Sequence, residues 1–320
     1  MTKSIAVIGL GIMGQRMLQA LSTYPAFDVT HMWDPSDAAQ SAALAIAPNA
    51  TIPDTAEAAV DAVDLVYLAC PPAPRHVYAK YAADLGKPLF LEKPLGTDIS
   101  ASRELVRHLE ATKVAAAVNF VQATGEPLAH IQSAKSSSGM GALAGIDIFV
   151  SYAQWPRAWQ VKADWLRFRP EGGMTREVIS HFMFFAERLM GPVELEWAHV
   201  DYPDAELCET NLAARLTNRD GIKLNVFAAV GGAQPDRQEI FVKGEKQSFS
   251  VRQFSELWVS DGGEFNQIVD PGDNARIDGL HAQLDDFKQL IDDQPHLLAT
   301  PQEALSVQEK IEGMLRAGRR

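Results

Sequence analysis

Four groups of residues in this chain have the types and spacing to do chemistry. Gly9-Leu10-Gly11-Ile12-Met13-Gly14 follows the apolar run Ser4–Ile8 and opens an amphipathic stretch, Met13–Leu21. In a strand-turn-helix setting the first glycine permits the tight turn and the second lets a pyrophosphate approach the backbone. The third lets helix and strand pack closely, and the helix N-terminus adds partial positive charge. Asp34 closes the next apolar run, 20 residues after Gly14. An acid there accepts hydrogen bonds from the adenosine ribose hydroxyls of a dinucleotide. It also repels a 2′-phosphate, and no Arg or Lys occurs within Pro35–Gln40. NAD is therefore the preferred cofactor, with NADP the second possibility.

The second group is Glu92-Lys93-Pro94, just past the short run Leu89–Leu91. Pro94 keeps Lys93 out of helical geometry, so the motif is a loop. Alone, such a pair reads as solvated surface. The third group is Glu177 and His181, four residues apart on a helix that follows Gly172-Gly173 and within reach of one another. Spacing by itself favours an ion pair at the margin of the apolar stripe Val178, Phe182, Phe185 and Leu189. Arg176 adjoins the pair and suits either a substrate carboxylate or a structural salt bridge. The fourth group is Trp155, Arg157, Trp159, Trp165, Arg167, Phe168 and Arg169. It reads equally as a pocket wall that stacks on a ring and binds an anion, or as a loop anchored by its Trp residues. The remaining histidines show no metal-ligand spacing, and no metal is expected.

The elements that must position these groups fall into two halves. Through residue 120, runs apolar on both faces (Ser4–Ile8, Phe27–Trp33, Asp64–Cys70, Leu89–Leu91, Val114–Phe120) alternate with helical stretches at Ser36–Ala47, Ala73–Leu85 and Asp98–Glu110. Asp98 is the expected N-cap of the last. This alternation predicts a doubly wound parallel sheet of Rossmann type. Beyond residue 120 come a helix around Glu126–Ala134, a long strand Ala144–Ala153 and a helix Thr175–Met190. Strand-like runs follow at Glu194–Tyr202, Leu212–Thr217, Lys223–Val230, Glu239–Lys243 and Ser248–Gln253, separated by turns, so neighbours are expected to be antiparallel. Helix returns in the last 40 residues, with Thr300-Pro301 opening the final one. The expected division is a dinucleotide-binding domain, 1–120, and an α+β domain, 121–320, on a largely antiparallel open sheet.

Lys and Arg number 29 against 41 Asp and Glu, a formal charge of −12. Such a field disfavours nucleic acid and anionic membrane as partners. No apolar run reaches the ~18 residues of a membrane span. The first apolar stretch is broken by Gly9 and Gly11 and lacks a small-residue cleavage site, so it does not read as a signal peptide. Two cysteines, Cys70 and Cys208, make no disulfide framework, and the cytoplasm is the expected location.

Taken in order, the glycine motif, the acid after the second strand, Cys70-Pro71-Pro72 with His76 after the third clear strand, and Gly86-Lys87-Pro88 running into Glu92-Lys93-Pro94 resemble the Gfo/Idh/MocA oxidoreductases, relatives of glucose–fructose oxidoreductase and inositol dehydrogenase. The resemblance implies nicotinamide-dependent hydride transfer at a hydroxyl-bearing carbon of a sugar, polyol or related small molecule. It implies that Lys93 takes up or relays the hydroxyl proton, that Glu92 helps seat the nicotinamide ribose, and that Cys70, Pro71, Pro72 and His76 line the cofactor edge. It further implies that His181, with Glu177, faces the substrate opposite Lys93, and that the open sheet mediates a homodimer or homotetramer. Asn119, at the end of the sixth Rossmann strand, Trp155, Trp165, Arg176 and His181 are the expected substrate contacts. Three positions depart from the family pattern: Glu177 replaces an Asp, Phe184 stands where an Asp is frequent, and Val121 replaces an Arg. The glycine motif followed by Met17 also resembles the β-hydroxyacid dehydrogenases, whose second domain is largely helical. A non-catalytic NAD(H)-binding sensor is the remaining alternative.

Overall fold

The computed structural model describes residues 2–317. Its first sheet has five strands: β1 (Lys3–Ile8), β2 (Phe27–Trp33), β3 (Leu65–Leu68), β4 (Leu89–Glu92) and β5 (Ala116–Asn119). Their order is β2-β1-β3-β4-β5, and every pairing is parallel. The direction of winding reverses at β1 and β3, so the loops after these two strands flank the crevice where ligands of open α/β sheets bind. Helices α1 (Ile12–Leu21), α2 (Asp37–Leu44), α3 (Ala56–Asp61), α4 (Pro72–Asp84) and α5 (Ile99–Thr112) connect the strands. Asp98 caps α5 as its sequence position predicts, its carboxylate accepting from Ala101 N at 3.0 Å. Asn119 ends the fifth strand, not a sixth; beyond β5 there is one antiparallel bridge, Val118 to Ala299.

Described residues up to Val121 form one compact unit together with Arg276–Leu305; Gln122–Ala275 and the residues from Ser306 onward form the other. The expected uninterrupted second domain, 121–320, is thus corrected. A later helix, Ala275–Ile291, lays Leu280, Leu284 and Phe287 into the core of the parallel sheet. Phe287 stacks on Phe90 at 5.3 Å and meets Phe27 edge-on at 6.0 Å. Burying a side chain of this size contributes roughly 1.5–3 kcal/mol, enough to bind the helix to this sheet.

The second unit contains α6 (Glu126–Ser136), β6 (Leu143–Tyr152), α7 (Ser180–Met190), β7 (Val193–Asp201), β8 (Asn211–Asn218), β9 (Lys223–Val230), β10 (Arg237–Gly244), β11 (Ser248–Arg252), β12 (Glu256–Ser260) and β13 (Asn266–Val269). Two further helices, α8 (Ala275–Ile291) and α9 (Pro301–Ala317), complete the chain. The second sheet has the order β13-β12-β11-β10-β6-β9-β8-β7. All its pairings are antiparallel except β6 with β9, which is parallel over eight residues. Consecutive strands β9 and β10 are therefore not neighbours; β6 lies between them. Turn residues between runs say only that the chain reverses, whereas pairing partners are chosen by burial across the whole sheet. Along β6, β8 and β10 buried and half-buried residues alternate, so one face packs inward and the other stays open. An eight-stranded sheet is incompatible with the largely helical second domain of the β-hydroxyacid dehydrogenases, and that alternative is set aside. Among the described residues, no helix is long and apolar enough to cross a membrane.

Candidate active site

In the first unit the glycine loop is shaped by close approach. Gly9 has φ +94°, and a Cβ there would lie 2.4 Å from Cys70 N. A Cβ on Gly14 would lie 2.0 Å from Gly9 O. These two glycines let the loop after β1, the loop after β3 and the first turn of α1 share one small volume. Gly11 differs: its φ is −68°, and an added Cβ would meet nothing within 4 Å. It is the N-cap of α1, and no side chain caps that helix. Open space in front of uncapped backbone N–H groups fits a pyrophosphate. Ile12 and Met13 form the first turn. Asp34 follows β2, its carboxylate accepting from Leu10 N at 2.7 Å and Ser36 N at 2.9 Å. The acid is thereby held against the glycine loop, and its remaining lone pairs fit the hydroxyls of a ribose.

A substitution separates shape from ligand contact here. Gly11→Ala is expected to cost no more than about 1 kcal/mol, the difference between glycine and alanine at an N-cap, because no neighbour must move. It is expected to weaken NAD⁺ binding about tenfold or more, by placing a methyl where the pyrophosphate approaches. Calorimetric titration with NAD⁺ beside a denaturant curve checks both halves, and unchanged affinity would remove the pyrophosphate from this loop.

Lys93 is 9% exposed and follows β4 at the carboxyl end of the sheet. Its loop is held by a residue the sequence reading missed. Arg75, buried in the first turns of α4, donates to Cys70 O at 2.6 and 3.1 Å, to Pro94 O at 2.5 Å and to Glu92 O. One guanidinium thus ties the loop beside Gly9 to the carbonyls on both sides of Lys93. Pro71 and Pro72, which open α4, were legible markers of this place; a basic residue one turn into the helix was not.

Glu92, expected to help seat the nicotinamide ribose, is 3% exposed. Its Oε1 accepts from the Tyr67 hydroxyl and from Asn119 Nδ2 at 2.7 Å, and its Oε2 accepts from Lys93 N at 3.2 Å. Burial pushes the Glu92 carboxyl up from the ordinary carboxylate range, opposed by Tyr67 and by the Lys93 and Arg75 charges. Asn119, only 1% exposed, holds Glu92 and is not placed as a substrate contact. The physical reason is common to both residues: polar groups buried beneath the loop must satisfy one another. Cys70 is also buried, and its thiol is pushed up by desolvation.

His76 lies half-buried on α4, its Nε2 3.4 Å from Ser102 Oγ. Burial first, and the Arg75 charge second, hold it below the ordinary 6.5. Below that value the unfolded chain binds a proton that the folded chain resists. His76 therefore adds no penalty above about pH 6.5, and stability is lost as pH falls toward its lowered folded value. His76→Gln is expected to flatten this part of the stability profile, measured as denaturant midpoints across the acidic range; an unaltered slope would count against it.

In the second unit, the helix carrying Glu177 and His181 begins with a π-helical turn, Thr175–Ile179, and becomes α-helical at Ser180. Such turns widen the spacing of side chains and recur at functional sites. The turn is fixed on two sides. Thr175 N donates to the buried Glu209 at 2.7 Å. Arg176 donates from Nε to Glu312 Oε1 at 2.5 Å, from Nη2 to Glu312 Oε2 at 3.0 Å, and from Nη1 to Arg169 O and Gly172 O at 2.8 Å each. Arg176 is 7% exposed. Of its two readings, the structure takes the salt bridge, and Arg176 is withdrawn as a substrate contact.

Glu177 Oε1 accepts from Gln160 Nε2 at 3.4 Å. His181 is buried, and the ring of Phe254 meets it edge-on at 5.5 Å. Phe254 has φ +71°, rare for a non-glycine residue, and also stacks on Phe182 at 5.1 Å. It comes from the hairpin between β11 and β12, so nothing near His181 in the chain announces it. Trp155 donates its indole N–H to Leu166 O at 3.0 Å, which anchors the 155–169 segment, while Trp165 stays exposed.

These features define the class: a dinucleotide-binding Rossmann domain joined to an α+β domain on an open sheet. Residues 3–120 match the oxidoreductase family with an NAD-binding Rossmann fold, Gfo/Idh/MocA. This match covers the first domain, which is similar to the NAD-binding domain of the Gfo/Idh/MocA oxidoreductases. Solved structures resemble the chain over nearly its whole length. An oxidoreductase from Agrobacterium radiobacter, in complex with NAD⁺, L-tartaric acid and magnesium, has a TM-score of 0.86 at 13% identity, covering 99% of this chain and 96% of that one. The scyllo-inositol dehydrogenase of Lactobacillus casei, with bound NAD(H) and scyllo-inositol, has 0.82 at 16%, covering 99% and 97%. The UDP-N-acetylglucosamine 3-dehydrogenase of Acidithiobacillus ferrooxidans has 0.81 at 16%, covering 99% and 98%. At these identities the likeness is one of fold. No curated protein matches the chain by sequence.

Proposed function

We propose that this protein is an NAD-dependent dehydrogenase that oxidises a hydroxyl-bearing carbon of a sugar, polyol or related small molecule. The observation that carries the reading is the Arg75 clamp, which fixes Lys93 beside a glycine cradle shaped for a dinucleotide. Bound NAD⁺ supplies the hydride acceptor. Lys93 Nζ takes the hydroxyl proton as the carbonyl forms, and in the second unit His181, with Glu177, is the proposed acid-base pair. The buried Glu92 knot holds the Lys93 backbone, so the amine is presented by a rigid loop. Cys70, Pro71, Pro72 and His76 line the cofactor edge. NAD is preferred over NADP because the Asp34 carboxylate would repel a 2′-phosphate.

Neighbours of the same fold include a scyllo-inositol dehydrogenase and a protein holding L-tartaric acid, which is consistent with a polyhydroxylated substrate. The open sheet face displays Phe149 stacked on the exposed Phe227 at 5.7 Å, and the exposed Trp197. We assign that face to a homodimer or homotetramer contact. Two free, buried thiols suit a reducing compartment, the cytoplasm. The test is near-UV absorbance of nicotinamide reduction across polyols, aldoses and hydroxy acids, with NAD⁺ and NADP⁺ in parallel. Turnover of none of them despite tight NAD⁺ binding would replace this reading by that of a sensor.

A further inference from the structure

Arg157 is a cation without a carboxylate partner among the described residues. Its guanidinium carbon lies 4.7 Å from the ring centroid of Trp159, 5.1 Å from Tyr152 and 5.8 Å from Trp155. Aromatic faces hold a guanidinium through its π surface and leave its in-plane N–H groups free to donate. Nε donates to Gln160 Oε1 at 2.9 Å, and among the described residues no hydrogen bond takes the Nη groups. Gln160, 1% exposed, passes its own amide to Glu177. Arg157 therefore stands two hydrogen bonds from the Glu177 carboxylate.

A second, independent observation comes from β6. Tyr152 closes that strand and is 0% exposed, yet its hydroxyl has no hydrogen-bond partner. A buried hydroxyl left unpaired is costly, and such groups mark places completed by something else. The Arg157 guanidinium carbon lies 5.1 Å from the Tyr152 ring centroid, which places this hydroxyl in the same cluster.

We propose that Arg157 and the Tyr152 hydroxyl bind a carboxylate of the substrate, which makes that substrate a hydroxy acid such as an aldonic or aldaric acid. The assignment deepens the dehydrogenase reading and rests on it for the word substrate; the anion site itself is a property of the second unit. The Arg157 Nη groups form a fork matched to two carboxylate oxygens, and the tyrosine adds a third donor. One guanidinium balances a single negative charge, and with Glu177 nearby a phosphate dianion is left under-compensated. The aromatic cage excludes water from one side of the guanidinium and so strengthens the pair.

The test is calorimetric titration of the full chain, with and without saturating NAD⁺. Four- to six-carbon hydroxy acids, tartrate and gluconate among them, are each paired with their neutral alditol; inorganic phosphate is run beside them. At least one acid is expected to bind tenfold or more tightly than its alditol. Arg157→Met keeps the stem against the rings and is expected to weaken that acid about 50-fold. Tyr152→Phe removes only an oxygen with no partner in the fold, and is expected to weaken it about tenfold. Neither change is expected to alter alditol or NAD⁺ affinity. Acids that bind no better than their alditols, or an affinity indifferent to Arg157→Met, would overturn the proposal. So would phosphate binding more tightly than every carboxylate. NAD⁺ failing to bind while the acid still does would defeat the dehydrogenase reading and leave the anion site standing.

Discussion

Replacing Lys93 by methionine is expected to lower turnover by roughly 10²–10⁴-fold while leaving NAD⁺ affinity unchanged, the range lost when a positioned acid-base group is removed. Methionine keeps the length of the buried stem and removes only the amine, so packing of a residue that is 9% exposed is largely kept. The loop itself is held by contacts that do not involve the side chain: Arg75 grips the carbonyls of Glu92 and Pro94, and Glu92 accepts from the Lys93 backbone N–H. Lys93→Arg is expected to be nearly as inactive. Arginine keeps the positive charge and cannot give up its proton at workable pH, so it separates proton transfer from mere charge. The measurement is steady-state nicotinamide reduction beside an NAD⁺ titration. Methionine or arginine variants that turn over at the wild-type rate would end the assignment of Lys93.

Arg176→Met is expected to destabilise the protein by about 3–5 kcal/mol, because it leaves Glu312 charged and unpaired inside the second unit. It also releases Arg169 O and Gly172 O, the carbonyls that set the entry to the π turn. The double variant Arg176→Met with Glu312→Leu is expected to recover much of the loss, since removing both charges removes the desolvation penalty with them. Urea midpoints of the three variants decide the matter. A stable Arg176→Met protein whose only defect is a raised KM for acidic substrates would restore Arg176 as a substrate contact and undo its assignment to Glu312. Arg157 is then the contrasting case. Both arginines lie near the same helix start, but one is bidentate to a carboxylate and the other has free Nη donors.

Adjacent residues explain why these two were not separated in advance. Arg176 and Arg157 both neighbour aromatic or glycine-rich sequence, and neither position says where a carboxylate from another element will stand. Glu312 lies on the last helix, 136 positions from Arg176. Tyr67 and Asn119 likewise read as ordinary members of parallel strands, and only the lateral order of β3, β4 and β5 brings them onto Glu92. Phe254 reaches His181 through a hairpin that the runs of apolar residues did not mark, since the short strands Glu256–Ser260 and Asn266–Val269, next to and at the sheet edge, carry little alternation.

The chain by itself determined whatever depends on neighbours within a few residues. Strand-loop-helix periodicity, the glycine spacing, the acid after β2, the N-cap at Asp98 and the loop imposed by Pro94 are local, and they place the dinucleotide cradle and Lys93. Tertiary structure alone decided which polar groups face inward and which are left with donors to offer. It turned Glu92 and Asn119 into supports, closed Arg176 onto Glu312, sent α8 back to the parallel sheet and set β6 between β9 and β10. Those outcomes depend on satisfying every buried charge and hydrogen bond at once across elements distant in sequence, a condition no local pattern encodes.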